Sequence, residues 1–198
     1  VTIPDTVISI HEWAFENCSS LEMLYLPKSI ASISTGSFWK TSQKIGIFCE
    51  IGSEQDGWEK NWNLNGSSPI HTYFGFSKEE YILLHGIDKT GTEITIPEGV
   101  TIIPAHFFED LAEVKEIHLP ESLQRIDNNA FSKCTGLRRI YIPRNVTVIS
   151  AQDYRDSPFY RCDSKTRLYC GASAQMSGWD KYWSQYDYSE SLDVYYGY

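Results

Sequence analysis

The stretch Ile94–Ile149 repeats one phrase three times, as Ile94-Thr95-Ile96-Pro97, Ile117-His118-Leu119-Pro120 and Ile140-Tyr141-Ile142-Pro143. The prolines at 97, 120 and 143 lie 23 residues apart (120−97 and 143−120). A second motif follows each proline at one offset, as Val100-x-x-Ile103, Leu123-x-x-Ile126 and Val146-x-x-Ile149. Self-similarity at a fixed period in the twenties predicts a solenoid, in which each repeat buries its apolar side against its neighbours.

A longer duplication is laid over the short repeat. The phrase also occurs twice near the start, around Pro4 and Pro27, and the chain then leaves the pattern at 34–46 and again at 150–166. A Gly-Trp motif follows each departure, at Trp58 and Trp179, and similar aromatic tails follow at 72–76 and 194–198. We therefore expect a short module, 1–76, and a longer one, 77–198, in one continuous solenoid. Because the chain begins within a repeat and without Met, we expect it to be an excerpt of a longer protein.

Each repeat predicts a short strand that ends at the proline, a second short extended segment, and a short helical turn. Ala14 and Phe15 are expected to pack inward at the first turn, as are Phe108 and Phe131 at later turns, forming an aromatic ladder. The apolar run 81–84 predicts a further strand.

Composition excludes several classes of function. The net charge of −9 argues against nucleic acid as a partner and disfavours anionic membrane surfaces. No apolar run approaches the roughly 20 residues of a membrane span, so we expect no membrane insertion. The five histidines are scattered, without a metalloprotease, nucleophile-elbow or phosphate-loop motif. The sequence therefore predicts neither an enzyme nor a cofactor.

The five cysteines follow the repeat. Cys18 matches Cys134, and Cys49 matches Cys170, which favours small buried side chains over disulfides. Cys162 is left over, and Cys162–Cys170 is the pair local enough for a bridge. No Cys/His spacing indicates a metal site.

The 23-residue phrase resembles the BspA-type leucine-rich repeats of bacterial and protist surface proteins. Residues 117–139 are the closest copy, with pattern residues Ile117, Leu119, Pro120, Leu123, Ile126, Ala130, Phe131, Cys134 and Leu137. The resemblance implies a right-handed leucine-rich-repeat superhelix, a β-rich solenoid with short helical or 3-10 turns and a parallel sheet on its concave face. It further implies an extracellular or cell-surface protein that binds other proteins, matrix or host components, and no catalysis.

In such a sheet the middle residues of the strands point outward and stack. We expect Thr95, His118 and Tyr141 to form one column, and Thr2 and Tyr25 to form another. Glu116 and Arg139 precede two of these positions. Aromatic and charged side chains on a rigid face are typical of protein recognition, so all seven residues are candidate ligand contacts. The alternative is a solvated sheet face with ordinary polar decoration.

The tryptophan motifs allow two readings. The i, i+4 spacing of Trp58/Trp62 and Trp179/Trp183 places each pair on one face of a short helix that docks on the solenoid. Exposed, the same rings and the terminal tyrosines 195–198 would form a glycan-binding patch. The leading hypothesis is a non-catalytic module for adhesion or protein recognition. A structural spacer and a carbohydrate-binding module are the alternatives.

Overall fold

The computed structural model describes residues 1–42 and 44–198. The chain forms a parallel β-solenoid of about eight turns with little helix. Its contacts divide it into two compact units, Val1–His85 and Gly86–Tyr198, called here the first unit and the second unit. The expected module boundary at 76/77 precedes a helix that belongs to the first unit.

The first unit contains β1 (Ser9–Ile10), β2 (Met23–Leu26), β3 (Ser32–Ile33), β4 (Gly46–Cys49), β5 (Leu64–Asn65), β6 (Ser68–Pro69), β7 (His71–Phe74) and the helix α1 (Lys78–His85). Strands β2, β4 and β7 form a parallel sheet in that order, and β1 pairs with β3 in a second parallel sheet. The antiparallel pair β5–β6 is a small hairpin. The two parallel sheets follow the two extended segments of the repeat.

The second unit contains β8 (Glu93–Thr95), β9 (Ile102–Ile103), β10 (Glu116–His118), β11 (Arg125–Ile126), β12 (Arg139–Ile142), β13 (Val148–Ile149), a 3-10 helix (Tyr154–Asp156), β14 (Arg167–Cys170) and β15 (Asp193–Tyr196). The larger parallel sheet has the order β8-β10-β12-β14-β15, and the smaller has the order β9-β11-β13. The 23-residue period appears directly as strand register, because Ile94, Ile117 and Ile140 pair in sequence.

The proline motif is a turn that ends each main strand. In the three central repeats the proline carbonyl accepts a hydrogen bond from the amide three residues later, at Val100, Leu123 and Val146. These three side chains are buried, which explains the fixed offset between proline and the next apolar residue. Proline suits the end of a strand, because it removes a donor where sheet pairing stops.

The expected aromatic ladder is confirmed in the second unit. The rings of Phe108, Phe131 and Phe159 are buried and stacked at 5.7 and 5.6 Å. In the first unit Phe15 stacks on the buried Phe38 at 5.3 Å. The inward placement of Ala14 is wrong, because its side chain is exposed.

The strand predicted at 81–84 is also wrong, because these residues lie in α1. The Ser77 hydroxyl accepts a hydrogen bond from the Glu80 amide at 3.1 Å and caps the helix start. Glu79 and Glu80 lie in the first turn, where the helix dipole favours negative charge. Tyr81 and Leu84 are buried three residues apart, a helical spacing that an apolar run of four conceals.

Four of the cysteines are buried in the packed interior, and Cys18 is half-buried. In the described part of the chain all five are free thiols, so the suggested Cys162–Cys170 bridge is wrong. The Cys162 thiol instead donates to the Phe131 carbonyl at 3.3 Å. Burial raises the pKa of the Cys134 and Cys170 thiols to about 12, so both stay protonated at neutral pH.

Candidate functional site

The outward face of the larger sheet in the second unit carries two rows of side chains. Because strand residues alternate, each strand presents its first and third residues on this face and turns the second inward, where it is buried in every strand except β15. The first residues form the charged column, Glu93, Glu116, Arg139, Arg167 and Asp193, and the third residues form the aromatic column, Thr95, His118, Tyr141, Tyr169 and Tyr195. We call these two columns together the open face.

The tyrosines of the aromatic column are stacked on one another. Ring centroids lie 4.9 Å apart for Tyr141–Tyr169 and 5.2 Å apart for Tyr169–Tyr195, with planes inclined by 20° and 18°. Tyr198 places its ring edge-on to Tyr169 at 5.3 Å. Tyr141 and Tyr195 remain 46% and 38% exposed. The rings therefore cover one another's faces and leave ring edges exposed.

The charged column is fixed by ion pairs between neighbouring strands. The Arg139 Nε and Nη2 atoms both lie 2.8 Å from Glu116 Oε2, and Arg167 Nε lies 3.1 Å from Asp193 Oδ2. The hydrogen bond and the charge of Glu116 raise the pKa of the Arg139 guanidinium. Exposed pairs of this kind contribute little to stability. Their effect here is to hold the guanidinium groups in place beside the tyrosines.

The structure brings together five of the seven predicted site residues: Thr95, Glu116, His118, Arg139 and Tyr141. Thr95, His118, Arg139 and Tyr141 are exposed, and Glu116 is half-buried under its ion pair. Thr2 and Tyr25 lie in the first unit, where they pair with each other through an isolated bridge. Thr2 is exposed as expected.

The expectation that Tyr25 faces solvent is wrong, since its side chain is 1% exposed. The ring of Tyr81, on α1, lies 5.4 Å from the Tyr25 ring and 5.5 Å from the Phe48 ring. The Tyr81 hydroxyl donates to the Met23 carbonyl at 3.2 Å and anchors the helix over the sheet. Tyr25 therefore belongs to the core, because α1, which the sequence did not predict as a helix, covers it.

Sequence reasoning missed Tyr169 and named Tyr195 only as part of a glycan-binding patch, whereas both extend the aromatic column. Both stand between apolar or aromatic neighbours, in Leu168-Tyr169-Cys170 and Val194-Tyr195-Tyr196, as Tyr141 does. The neighbouring residues therefore resembled those of Tyr141, but the 23-residue spacing did not lead to these two positions. The steps along the column are 28 residues (169−141) and 26 residues (195−169) instead of 23, because the turns between these strands are longer.

The tryptophan motifs are structural, as the packing interpretation predicts. Trp58, Trp62, Trp179 and Trp183 are buried, and the rings of each pair meet edge-on, at 4.7 and 4.8 Å. The Trp58 indole donates to the Ile30 carbonyl, and the Trp179 indole donates to the Val146 carbonyl. The predicted short helix is wrong, since each motif is a bridge residue followed by turns. These four rings are not available for stacking on a sugar.

Metal ions and membranes are two further classes of partner. Among the described residues no group of histidine, cysteine, aspartate and glutamate side chains is arranged to hold a metal ion. The helices in the described part of the chain are too short or too polar to cross a bilayer.

Comparisons with known proteins identify the repeat. The family of the BspA type leucine rich repeat region matches six copies, at residues 1–52 and 88–175. No curated protein matches the chain.

Two solved structures are similar to the chain. A leucine-rich repeat protein from Bacteroides ovatus shares 22% identity over 89% of this chain, with a TM-score of 0.31. The pneumococcal vaccine antigen PcpA shares 14% identity over 96% of the chain, with a TM-score of 0.28. The chain spans 49% of the first protein's length and 71% of the second's. With the family match covering most of the sequence, the chain belongs to the BspA-type leucine-rich-repeat family.

Proposed function

We propose that the chain is a non-catalytic recognition module of a secreted or cell-surface protein, and that it binds another protein through the open face of the second unit. The observation that carries this proposal is the stacked Tyr141–Tyr169–Tyr195 ladder, in which Tyr141 and Tyr195 stay exposed although Tyr198 packs edge-on against Tyr169. Tyrosine and arginine are the residue types that dominate protein interfaces. Leucine-rich-repeat solenoids are typically non-catalytic, and this family is typically found on surfaces or secreted.

Rigidity supports the proposal. The strands β12 and β14 have parallel neighbours on both sides, β15 pairs with β14, and the residues between the columns, such as Ile117, Ile140 and Leu168, are fully buried. Stacked rings and ion-paired guanidinium groups lose little conformational freedom when a partner binds. The open face is therefore pre-organised for binding, and host or matrix proteins are the class of partner that the proposal names.

A glycan is the less suitable ligand. Sugars stack on the flat faces of aromatic rings, whereas Tyr169 has both neighbours stacked on it and Tyr195 has one. The four tryptophans of the repeated motifs are buried. An extended protein surface, which can contact ring edges and the guanidinium groups of Arg139 and Arg167 together, uses more of what this face offers.

The test is a pull-down of the intact chain against host extracellular proteins and mucosal glycans, with a triple variant at Tyr141, Tyr169 and Tyr195. Each tyrosine is changed to threonine, because Thr95 already occupies the column and keeps strand propensity. Tyr188→Thr is the matched control, since Tyr188 is 75% exposed but lies outside the sheet. We expect the captured protein to be lost with the triple variant and retained with the control.

Three results would contradict the proposal. Retention of the partner by the triple variant would move the binding site away from the open face. Capture of no protein at all by the wild-type chain would favour the structural spacer. Binding to glycans alone, lost in the triple variant, would turn the assignment to carbohydrate.

A further inference from the structure

The charges of the open face are divided between its two halves. The strands β8 and β10 and the turns after them carry the acidic residues Glu93, Glu98, Glu116 and Glu121, whereas β12, β14 and the turn after β12 carry the basic residues Arg139, Arg144 and Arg167. Along the charged column the first four strands therefore read negative, negative, positive, positive. Asp193 on the edge strand β15 closes the column and is paired with Arg167.

This order of charges is its own complement. A rotation of 180° about an axis parallel to the strands, passing between β10 and β12, turns one copy of the face onto another. The rotation keeps each residue's position along its strand and reverses the order of the strands. Glu116 then faces Arg139 of the second copy, and Glu93 faces Arg167, with both contacts made twice.

The remaining rows agree with the same operation. The first four members of the aromatic column fall on one another, so that Tyr141 lies opposite His118 of the second copy and Tyr169 lies opposite Thr95, while Tyr195 on the edge strand lies beyond the matched strands. Large rings thus meet smaller side chains instead of one another. Beyond the strands, Glu121 faces Arg144 with opposite charge, and both side chains are exposed.

The two arginines of the charged column keep capacity for contacts of this kind, whereas the Glu116 side chain is 14% exposed beside Arg139. The Arg139 side chain is 56% exposed and that of Arg167 is 35% exposed, although each has an acidic partner within its own chain. Arg139 directs Nε and Nη2 at one oxygen of Glu116. A guanidinium has five N–H donors, so donors remain for a second carboxylate.

We infer that the open face pairs with the same face of a second copy of this chain, as an isologous two-fold dimer. The inference rests on the proposed function, because it uses the same face and adds a second copy of this chain to the host or matrix proteins named there. A surface module that binds its own kind would join two chains, on one surface or on two facing surfaces.

Charge reversal provides a sharp test. Glu116→Arg and Arg139→Glu each place two like-charge contacts in the dimer, and we expect each to weaken self-association about tenfold or more in sedimentation velocity. Mixed together, the two variants match again at every contact, because the new arginine at 116 faces the new glutamate at 139. We therefore expect the mixture to recover dimers that neither variant forms alone.

Two controls accompany the mixture. Glu16→Arg changes the net charge by the same amount as Glu116→Arg, at an exposed turn of the first unit. It is expected to leave self-association unchanged. Raising NaCl from about 0.1 M to about 1 M shortens the Debye length from about 10 Å to about 3 Å, and we expect it to weaken the wild-type dimer. Recovery in the mixture also shows that both variants are folded.

A wild-type chain that stays monomeric over the whole concentration range would overturn the inference. So would dimers that both reversals leave intact, or variants that lose association and do not recover when mixed. None of these results touches the pull-down with the tyrosine variants. Recognition of a different protein would then stand although pairing of two copies had failed.

Discussion

The two units build the same sheet face and use it in opposite ways. When the aromatic tails and the matching cysteines of the two units are aligned, three rings correspond. Tyr25, Phe48 and Tyr73 of the first unit fall on Tyr141, Tyr169 and Tyr195 of the second. In the first unit α1 covers the aromatic column, and Tyr25 and Phe48 are buried. In the second unit the corresponding rings are exposed or half-buried. One column is core, and the other is surface.

The neighbouring column accounts for the difference. Met23, Gly46 and His71 stand where the second unit has Arg139, Arg167 and Asp193. A Cβ atom at Gly46 would lie 3.3 Å from the Phe48 ring and 3.2 Å from the Tyr73 ring, so these rings occupy the space that a side chain would fill. Without guanidinium or carboxylate groups to desolvate, this face can accept a helix. In the second unit the charges make such a cover costly.

The largest effect is expected where the two units agree, in the aromatic core. Phe131→Ala removes a fully buried ring that stacks between two neighbours, and we expect it to lower the free energy of unfolding by about 3–5 kcal/mol. Phe38→Ala, at the equivalent ladder of the first unit, is expected to cost as much. Urea unfolding of both variants checks this. A loss below about 1 kcal/mol at Phe131 would contradict the inward assignment of the ladder.

The next largest effect on stability is expected in α1, the helix that covers the sheet of the first unit. Tyr81→Ala removes the ring that buries Tyr25 and the hydroxyl that bonds to the Met23 carbonyl, and we expect it to cost about 3 kcal/mol. Ile82→Ala on the same helix is the control, since Ile82 is 55% exposed and should stay within about 0.5 kcal/mol. Hydrogen exchange should accelerate in β2 and β4 of the Tyr81 variant alone. Equal protection in both variants would mean that α1 does not close the face.

A smaller effect tests the duplication itself. A Cβ atom at Gly57 would overlap the Ala31 carbonyl oxygen, and one at Gly178 would overlap the Thr147 carbonyl oxygen. Because the backbones meet in the same way, we expect Gly57→Ala and Gly178→Ala to destabilise the chain by a similar amount, about 1–3 kcal/mol. Gly52→Ala, where nothing lies within 4 Å of the added atom, is the control. Thermal unfolding compares the three variants, and a neutral Gly178→Ala would refute the close approach.

Sequence reasoning reached the scaffold because the scaffold is periodic. The 23-residue step determines which side chains stack, so Ile117 and Phe131 were placed correctly from spacing alone. It failed where the chain leaves the period. In the sequence, the helix α1 lies at the junction of the two modules, where no repeat copy indicates its structure.

The same limit applied to the open face. Thr95, His118 and Tyr141 share one period and were found, whereas Tyr169 and Tyr195 follow longer turns and were not. The burial of Tyr25 could not be predicted from its own repeat, because the residue that covers it, Tyr81, lies 56 positions later (81−25). Contacts between a repeat and a segment outside the repeats leave no trace in periodicity.

The smallest effect separates surface from core at one position of the sheet. Tyr169→Thr removes two stacked contacts on an open face, and such cross-strand pairs are each worth about 0.2–1 kcal/mol, so we expect a loss of about 1 kcal/mol. Phe48→Thr, the aligned change in the first unit, removes a ring that is completely buried and should cost several times more. Urea unfolding measures both.

The ratio of these two losses of unfolding free energy distinguishes a recognition role of Tyr169 from a structural one. If Tyr169 serves recognition, its substitution should abolish partner capture while the unfolding free energy hardly changes. If the losses at Tyr169 and Phe48 were equal, the tyrosine ladder would be holding the second unit together. Its exposure would then need no partner to explain it.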